Sequence, residues 1–452
     1  MFSCESIPRI GFLGFGRKTF DMTLAQTALH DSIGYLNDIA TVSRAVDQLV
    51  TDPASVSEAV RGWEEDIDVV VVQLTTFVDG RFVEELARSV NKPVIVWAVR
   101  EPVMGKTQRL SLNSLTGANM AGHTLMKLSR RFHFIFGAVH EPALTKQFVE
   151  KLRMEQVVDD IHHFTVAMLG DIPDGFDFSL PSQRIQEQLG MRIIHLDLTA
   201  TFQRALELDD RVIAEILQSV RSRIAKLGEL PQESVVKFAK MHHTLLGELR
   251  AHNAQAVAVR CWPEFFTQFG AAACSTLSIL TEDGFMGACE ADVLGALSMH
   301  VLSRLTASPA YLGDLVEIDE ETGSVVFWHC GAGAPTLARS DTGAQAGVHP
   351  NRQIGFTMEF GLKPGEVTIF RIGETADGNV RVLVGKGRVL DVPQRFFGTS
   401  AKVRLDGTGE VLKRVQRVFE TGMEPHYAMA YGDVVDQLSW LCDHLNIPVT
   451  YF

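Results

Sequence analysis

A chain of 452 residues, 46% hydrophobic and 21% charged, has the make-up of a globular protein large enough for two or three domains. Its net charge of −13 speaks against a nucleic-acid partner, because phosphate binding needs clustered Lys and Arg. No apolar run approaches the ~18 residues of a membrane-spanning helix, and the Met1–Arg9 stretch lacks the basic and apolar segments of a secretory signal.

The six cysteines, at 4, 261, 274, 289, 330 and 442, contain no CxxC pair. That pattern suits reduced, buried thiols in a cytoplasmic protein and not a zinc site.

In chain order, residues 8–14 read as a short buried strand. Gly11, Gly14 and Gly16 do not have dinucleotide-binding spacing, so they read as a tight turn. Helices are expected at about 21–35, 54–63 and 81–90. The apolar runs 68–73 and 93–98 are expected as parallel strands covered on both faces. This β-α-β rhythm is that of a doubly wound sheet, whose ligands sit beyond the strands' carboxyl ends. The polar segment Ser111 to His123 is expected as a rim loop. A second series follows: strands at 164–169, 191–196 and 256–260, with helices at 185–189, 203–226 and 232–252. The adjacent His242 and His243 read as helix-surface residues, since neighbouring helical positions point different ways.

Beyond about 335, turn signals such as Lys363-Pro364-Gly365, Asp377-Gly378-Asn379 and Asp406-Gly407 separate short strands at 354–360, 366–372, 380–385 and 402–405. A helix near 433–445 ends the chain. The expected fold is therefore α/β: two doubly wound α/β domains, 1–162 and 163–335, followed by a smaller β-rich antiparallel sandwich or barrel, 336–452.

The stretch Arg260 to Gly333 concentrates the chemistry. Glu264, Glu290 and Asp314 each stand beside the end of an apolar segment, where a lone carboxylate has no packing role. Carboxylates converging from strand ends can build a site for a hard divalent cation. The plainer alternatives are a helix N-terminal carboxylate for Glu290 and a lone loop histidine for His426.

Trp262-Pro263-Glu264, Cys289-Glu290-Ala291-Asp292, Asp314, Trp328-His329-Cys330-Gly331, Gly398-Thr399 and Pro425-His426 together resemble the L-fucose isomerase/L-arabinose isomerase family. The resemblance is strong over the back half of the chain and architectural over the front half. It implies an aldose–ketose isomerase working through a cis-enediol(ate), with Mn²⁺ or another divalent cation such as Mg²⁺ or Co²⁺. Asp314 follows Glu290 by 24 positions, the fucose-type separation. The resemblance therefore implies Glu290, Asp314 and His426 as metal ligands, with Glu290 and Asp314 also catalytic. Asp292 is an alternative to Glu290, and Asp319 to Asp314. Trp262, Glu264 and His329 are implied near the substrate. Asn119 and His123 are implied where a neighbouring subunit reaches the site.

A homo-oligomer, a hexamer or another multiple of three, is implied as well. The expected partner is a small-molecule sugar, with no nucleic acid and no membrane. The competing readings are an isomerase of an acidic or sulfonated hexose, sulfoquinovose-like, for which Arg100, Arg352 or Arg388 could contact the anion, and a non-catalytic sugar-binding protein on the same scaffold.

Overall fold

Val69–Leu74 is a run of six buried residues, five of them apolar, and such a strand must be covered on both faces. In the computed structural model, which describes residues 8–102 and 109–452, it is the middle strand of a parallel sheet. The strands are β1 (Arg9–Phe15), β2 (Thr41–Ala45), β3 (Val69–Leu74), β4 (Val94–Ala98) and β5 (Phe132–Phe136), in spatial order β2-β1-β3-β4-β5. Alternate residues of β3 serve different cores. Val70, Val72 and Leu74 pack with Phe82 and Leu125, whereas Val69 and Val71 pack with Leu29, Trp97 and Phe148.

This sheet belongs to one compact unit, which ends at Gln156; a second runs Val157–Phe452. The expected rim loop 111–123 is instead largely the helix Ser114–Lys127, whose buried side is made of Gly117, Ala118, Ala121, Gly122 and Leu125. Small residues hid its period from the sequence.

The second unit opens with β6 (Thr165–Leu169), β7 (Arg192–Leu196), β8 (Ala256–Val259) and β9 (Met286–Ala288), all parallel, in order β7-β6-β8-β9. The chain leaves β6 to one side and returns on the other, so β6 and β8 flank a switch point at their carboxyl ends. The single helix expected over 203–226 is two, Leu198–Glu207 and Ala214–Arg223. Between them Asp209 accepts from the backbone N–H of Arg211 at 2.8 Å and turns the chain.

The remaining strands are β10 (Tyr311–Asp319), β11 (Ser324–His329), β12 (Gln345–Val348), β13 (Gly355–Gly361), β14 (Gly365–Glu374), β15 (Val380–Val389), β16 (Thr399–Leu405), β17 (His426–Tyr431) and β18 (Val449–Tyr451). They form one largely antiparallel sheet that starts at Tyr311, ahead of the expected boundary at 335. Because β15 pairs with β16 as well as β14, the strands β16-β11-β10-β17-β14-β15 close into a barrel, which removes their free edges. Its core includes Phe327, Ile369, Leu383, Val403, Tyr427 and Met429.

The helix Val293–Thr306 is buried at almost every position. It packs against β8 and β9 on one side and β10, β14 and β17 on the other. Its N-terminus therefore lies where the parallel sheet meets the barrel. No described helix is long and apolar enough to cross a membrane.

Candidate active site

Strand register brings the first two groups together. Antiparallel pairing of β10 with β17 sets Asp314 opposite His426, and directly opposed residues share a face of the sheet. Glu290 arrives from the parallel sheet, in the turn after β9. Glu290 and its neighbour Ala291 have φ of 56° and 58°, a left-handed conformation that strains a non-glycine residue by ~1–3 kcal/mol. Two backbone bonds hold the turn: Ala291 N–H to the Val259 carbonyl at 2.9 Å and Asp292 N–H to the Cys289 carbonyl at 3.1 Å. The Glu290 carboxylate then lies 2.8 Å from His426 Nε2, and Asp314 Oδ1 lies 3.6 Å from the same nitrogen.

The other imidazole nitrogen, His426 Nδ1, lies 2.8 Å from Asp292 Oδ2. Asp292 is fully buried and also accepts from Gly295 N–H at 2.8 Å, capping the helix Val293–Thr306. The equally buried Arg371 of β14 donates to both its oxygens, at 2.5 and 3.0 Å. A side chain at position 295 would collide with the Asp292 carboxylate and come within 2.9 Å of Arg371 Nη1, so glycine makes room for the ion pair. Burial works against the charge on Asp292, but Arg371 and His426 outweigh it and hold the carboxyl down to about 2. Asp292 is thus occupied in orienting His426. Asp319, the other alternative ligand, is tied to Lys402 at 2.5 Å and to Thr322 N–H at 3.0 Å.

The charges around His426 explain its protonation. Burial opposes a charged imidazole, yet hydrogen bonds to Asp292 and Glu290, with the field of Asp314, lift it to about 10. Glu290 is pushed up by burial but held below its ordinary value by His426. Asp314 goes the other way, raised chiefly by burial and further by Glu290 and Asp292, against His426 and His329. Two carboxylates and an imidazole that draw positive charge to one point fit a hard divalent cation. Among the described residues, Glu290, His329 and His426 offer ligand atoms all within 4.8 Å of one another. Nδ1 of His329 accepts from Cys330 N–H at 2.9 Å. In that network its proton sits on Nε2, which makes His329 a hydrogen-bond donor at the cluster.

Around these groups stands a wall of rings. The His329 ring lies 5.8 Å from that of His426 and stacks on Trp328. Trp262 helps hold the Glu290 carboxyl down and meets Phe176 edge-on at 5.5 Å. Phe178 meets His426 edge-on at 5.3 Å. Phe176 and Phe178 come from a loop whose Pro, Gly and Asp residues give no sign of such a role.

Glu264 is turned elsewhere. It pairs with Arg260 at 2.8 Å and lines a cleft of about 610 Å³ with Asp171, His195 and Asp197, at the carboxyl rim of the sheet. Asn119 and His123 belong to the first unit. There they line a cleft of about 810 Å³ with Leu115, Met126 and Phe134.

The family description "L-fucose isomerase, C-terminal domain" matches residues 344–452. The "Sulfoquinovose isomerase" of Priestia megaterium (strain ATCC 12872 / QMB1551) is 40% identical over 446 residues, 98% of each chain. That of Alkalicoccus urumqiensis is 40% identical over 97% of this chain and 98% of its own. That of Clostridium sp. (strain MSTE9) is 34% identical over 98% and 99%. Such full-length likeness to isomerases sets aside the sugar-binding reading without catalysis and defines an aldose–ketose isomerase. The chain belongs to the L-fucose isomerase-like family, as a shorter member.

Proposed function

We propose that this isomerase interconverts a sulfonated aldohexose, sulfoquinovose, and the corresponding ketose through a cis-enediol(ate). The observation that carries the chemistry is the convergence of Glu290 and Asp314 on His426 Nε2. The sulfonated substrate is favoured over the general aldose reading because the full-length relatives carry that sugar in their names.

Glu290, Asp314 and His426 would hold the divalent cation in place of the His426 Nε2 proton, with Mn²⁺ the first candidate and Mg²⁺ or Co²⁺ the alternatives. When bound, the cation supplies Lewis-acid stabilisation of the charge that develops on O1 and O2. The chain's own residues do the rest. A carboxylate at the cluster, Glu290 or Asp314, takes the proton as the C2–H bond breaks, exchanges it with solvent and returns a proton to C1, while the hydroxyl proton of O2 passes to O1. His329 Nε2–H donates to a sugar hydroxyl. Asp292 and Arg371 keep His426 in one orientation, as a carboxylate partner does for a metal-binding imidazole. Phe176, Phe178 and Trp262 exclude water from the reacting face.

The protein is further proposed to act in the cytoplasm, where Cys261, Cys274 and Cys289 remain free thiols. It is proposed to assemble as a hexamer or another multiple of three. The apolar cleft holding Asn119 and His123 would then face a second copy, so that both could reach that copy's substrate.

The test is ketose formation from sulfoquinovose and from neutral aldoses, after chelation and after addition of Mn²⁺. The proposal expects turnover of sulfoquinovose that chelation abolishes and Mn²⁺ restores. In D₂O the ketose should carry deuterium at C1. Unlabelled ketose would point to a direct hydride shift and overturn the proton route.

A further inference from the structure

A sulfonate keeps its charge at any physiological pH and needs a cation or strong donors beside it. Most basic side chains of the second unit are already committed. Arg260 serves Glu264, Arg371 serves Asp292, Arg395 serves Glu317 and Lys402 serves Asp319. Of the arginines raised by the sequence, Arg100 belongs to the first unit and is tied to Glu141 at 2.7 Å. Arg388 lies in β15, opposite Glu366 and Arg404.

Arg352 differs from the committed cations and, unlike Arg388, packs on a ring next to the active site. It is exposed, and among the described residues no carboxylate pairs with it; its guanidinium sits 5.9 Å from the centre of the Phe266 ring. That ring shares a small apolar cluster with Cys330, the residue after His329. The Phe266 ring also meets His349 edge-on at 5.0 Å.

Arg352 is carried on a closed turn between β12 and β13. The backbone N–H groups of Arg352 and Gln353 donate to the His349 carbonyl at 3.2 and 2.9 Å, and His349 N–H donates to Ile354 at 3.0 Å. The turn is fixed, and the side chain at its tip is a free cation beside the His329 flank of the active site. Burial, helped by His329 and Arg352, holds His349 down to about 4, so the positive charge at this corner belongs to Arg352.

We infer that Arg352, seated on Phe266 and fixed by the His349 turn, is the group that binds the sulfonate of the substrate and selects it over the neutral sugar. This rests on the sulfonated-hexose reading above. The planar guanidinium can offer two N–H donors to two sulfonate oxygens. His349 acts through Arg352 as a positioning residue.

The experiment compares the wild-type holoenzyme with R352Q and R352K on two substrates: sulfoquinovose, and the same sugar with hydrogen in place of the sulfonate. For R352Q, KM for sulfoquinovose should rise about 10–100-fold, the range for losing hydrogen bonds to a charged group. kcat should fall far less, and the preference for the sulfonated sugar should collapse. R352K, which keeps the charge but not the fork, should fall between. Unchanged melting temperatures would exclude a folding effect. If the wild type prefers sulfoquinovose and R352Q keeps that preference, the assignment of Arg352 is overturned while the proposed function stands. If the wild type shows no preference for the sulfonated sugar, the substrate reading itself fails and this inference falls with it.

Discussion

Asp292 shows how much one side chain can be asked to do. It caps a helix, neutralises a fully buried arginine and fixes the imidazole of His426. Removing its charge leaves Arg371 buried without a counter-ion, a loss worth roughly 3–5 kcal/mol. Asp292→Asn should therefore lower thermal and urea stability strongly, whereas Glu290→Gln, whose side chain keeps 21% of its surface exposed, should cost much less stability. Glu290→Gln should instead cut turnover by ~10²–10⁴-fold, with added Mn²⁺ failing to restore it. A Glu290→Gln enzyme rescued by metal would leave Glu290 as a ligand only. These residues were unequally legible. Glu290 and Asp314, like Glu264, stood out as carboxylates beside the ends of apolar segments, whereas His426 was implied only by the family resemblance. Asp292 could be seen as a cap from Asp-x-x-Gly ahead of an apolar run. Arg371 gave no signal, because an arginine in a strand ordinarily reads as an outward-facing residue.

At the scale of elements, the turn at Glu290–Ala291 carries the local strain. Ala291 is fully buried and left-handed, so a β-branched side chain there meets both a forbidden backbone region and a filled core. Ala291→Val should destabilise by ~2–4 kcal/mol, read as a lower urea midpoint; an unchanged midpoint would show the turn to be relaxed. The helices Pro142–His162 and Val293–Thr306 are joined by Asp160, which meets Arg304 at 2.7 Å and His300 at 3.6 Å. Burial pushes the Asp160 carboxyl up, but His300 and Arg304 outweigh it, so its folded value lies below the ordinary 3.8. A depressed carboxyl contributes stability above its unfolded value and loses it as pH falls below that value. Arg304→Met should therefore move acid unfolding, followed by circular dichroism, to higher pH; no movement would show the pair to be idle. Elements were misjudged where local signals were weak. Small residues concealed the helix in 111–127, and an Asp turn broke the helix expected over 203–226.

For the whole molecule, assembly is the prediction that matters most. Leu115, Met126 and Phe134 are more than two-fifths exposed around the cleft of Asn119 and His123, and a second copy would cover these apolar side chains. Light scattering should show a multiple of three at micromolar concentration, and Met126→Asp should dissociate it and lower activity together. A monomeric, active wild type would remove any role for His123 in a neighbour's site.

The sequence by itself determined the α/β class and three of the barrel strands, at 366–372, 380–385 and 402–405, and marked Glu290 and Asp314 as candidate ligands, because hydrophobic period, turn residues and isolated carboxylates are local properties. Tertiary structure alone decided that β15 and β16 close the barrel, that Asp314 stands opposite His426, and that Arg371 reaches Asp292. Each depends on strand register and on packing between residues far apart in the chain, and no local pattern encodes a distance between them.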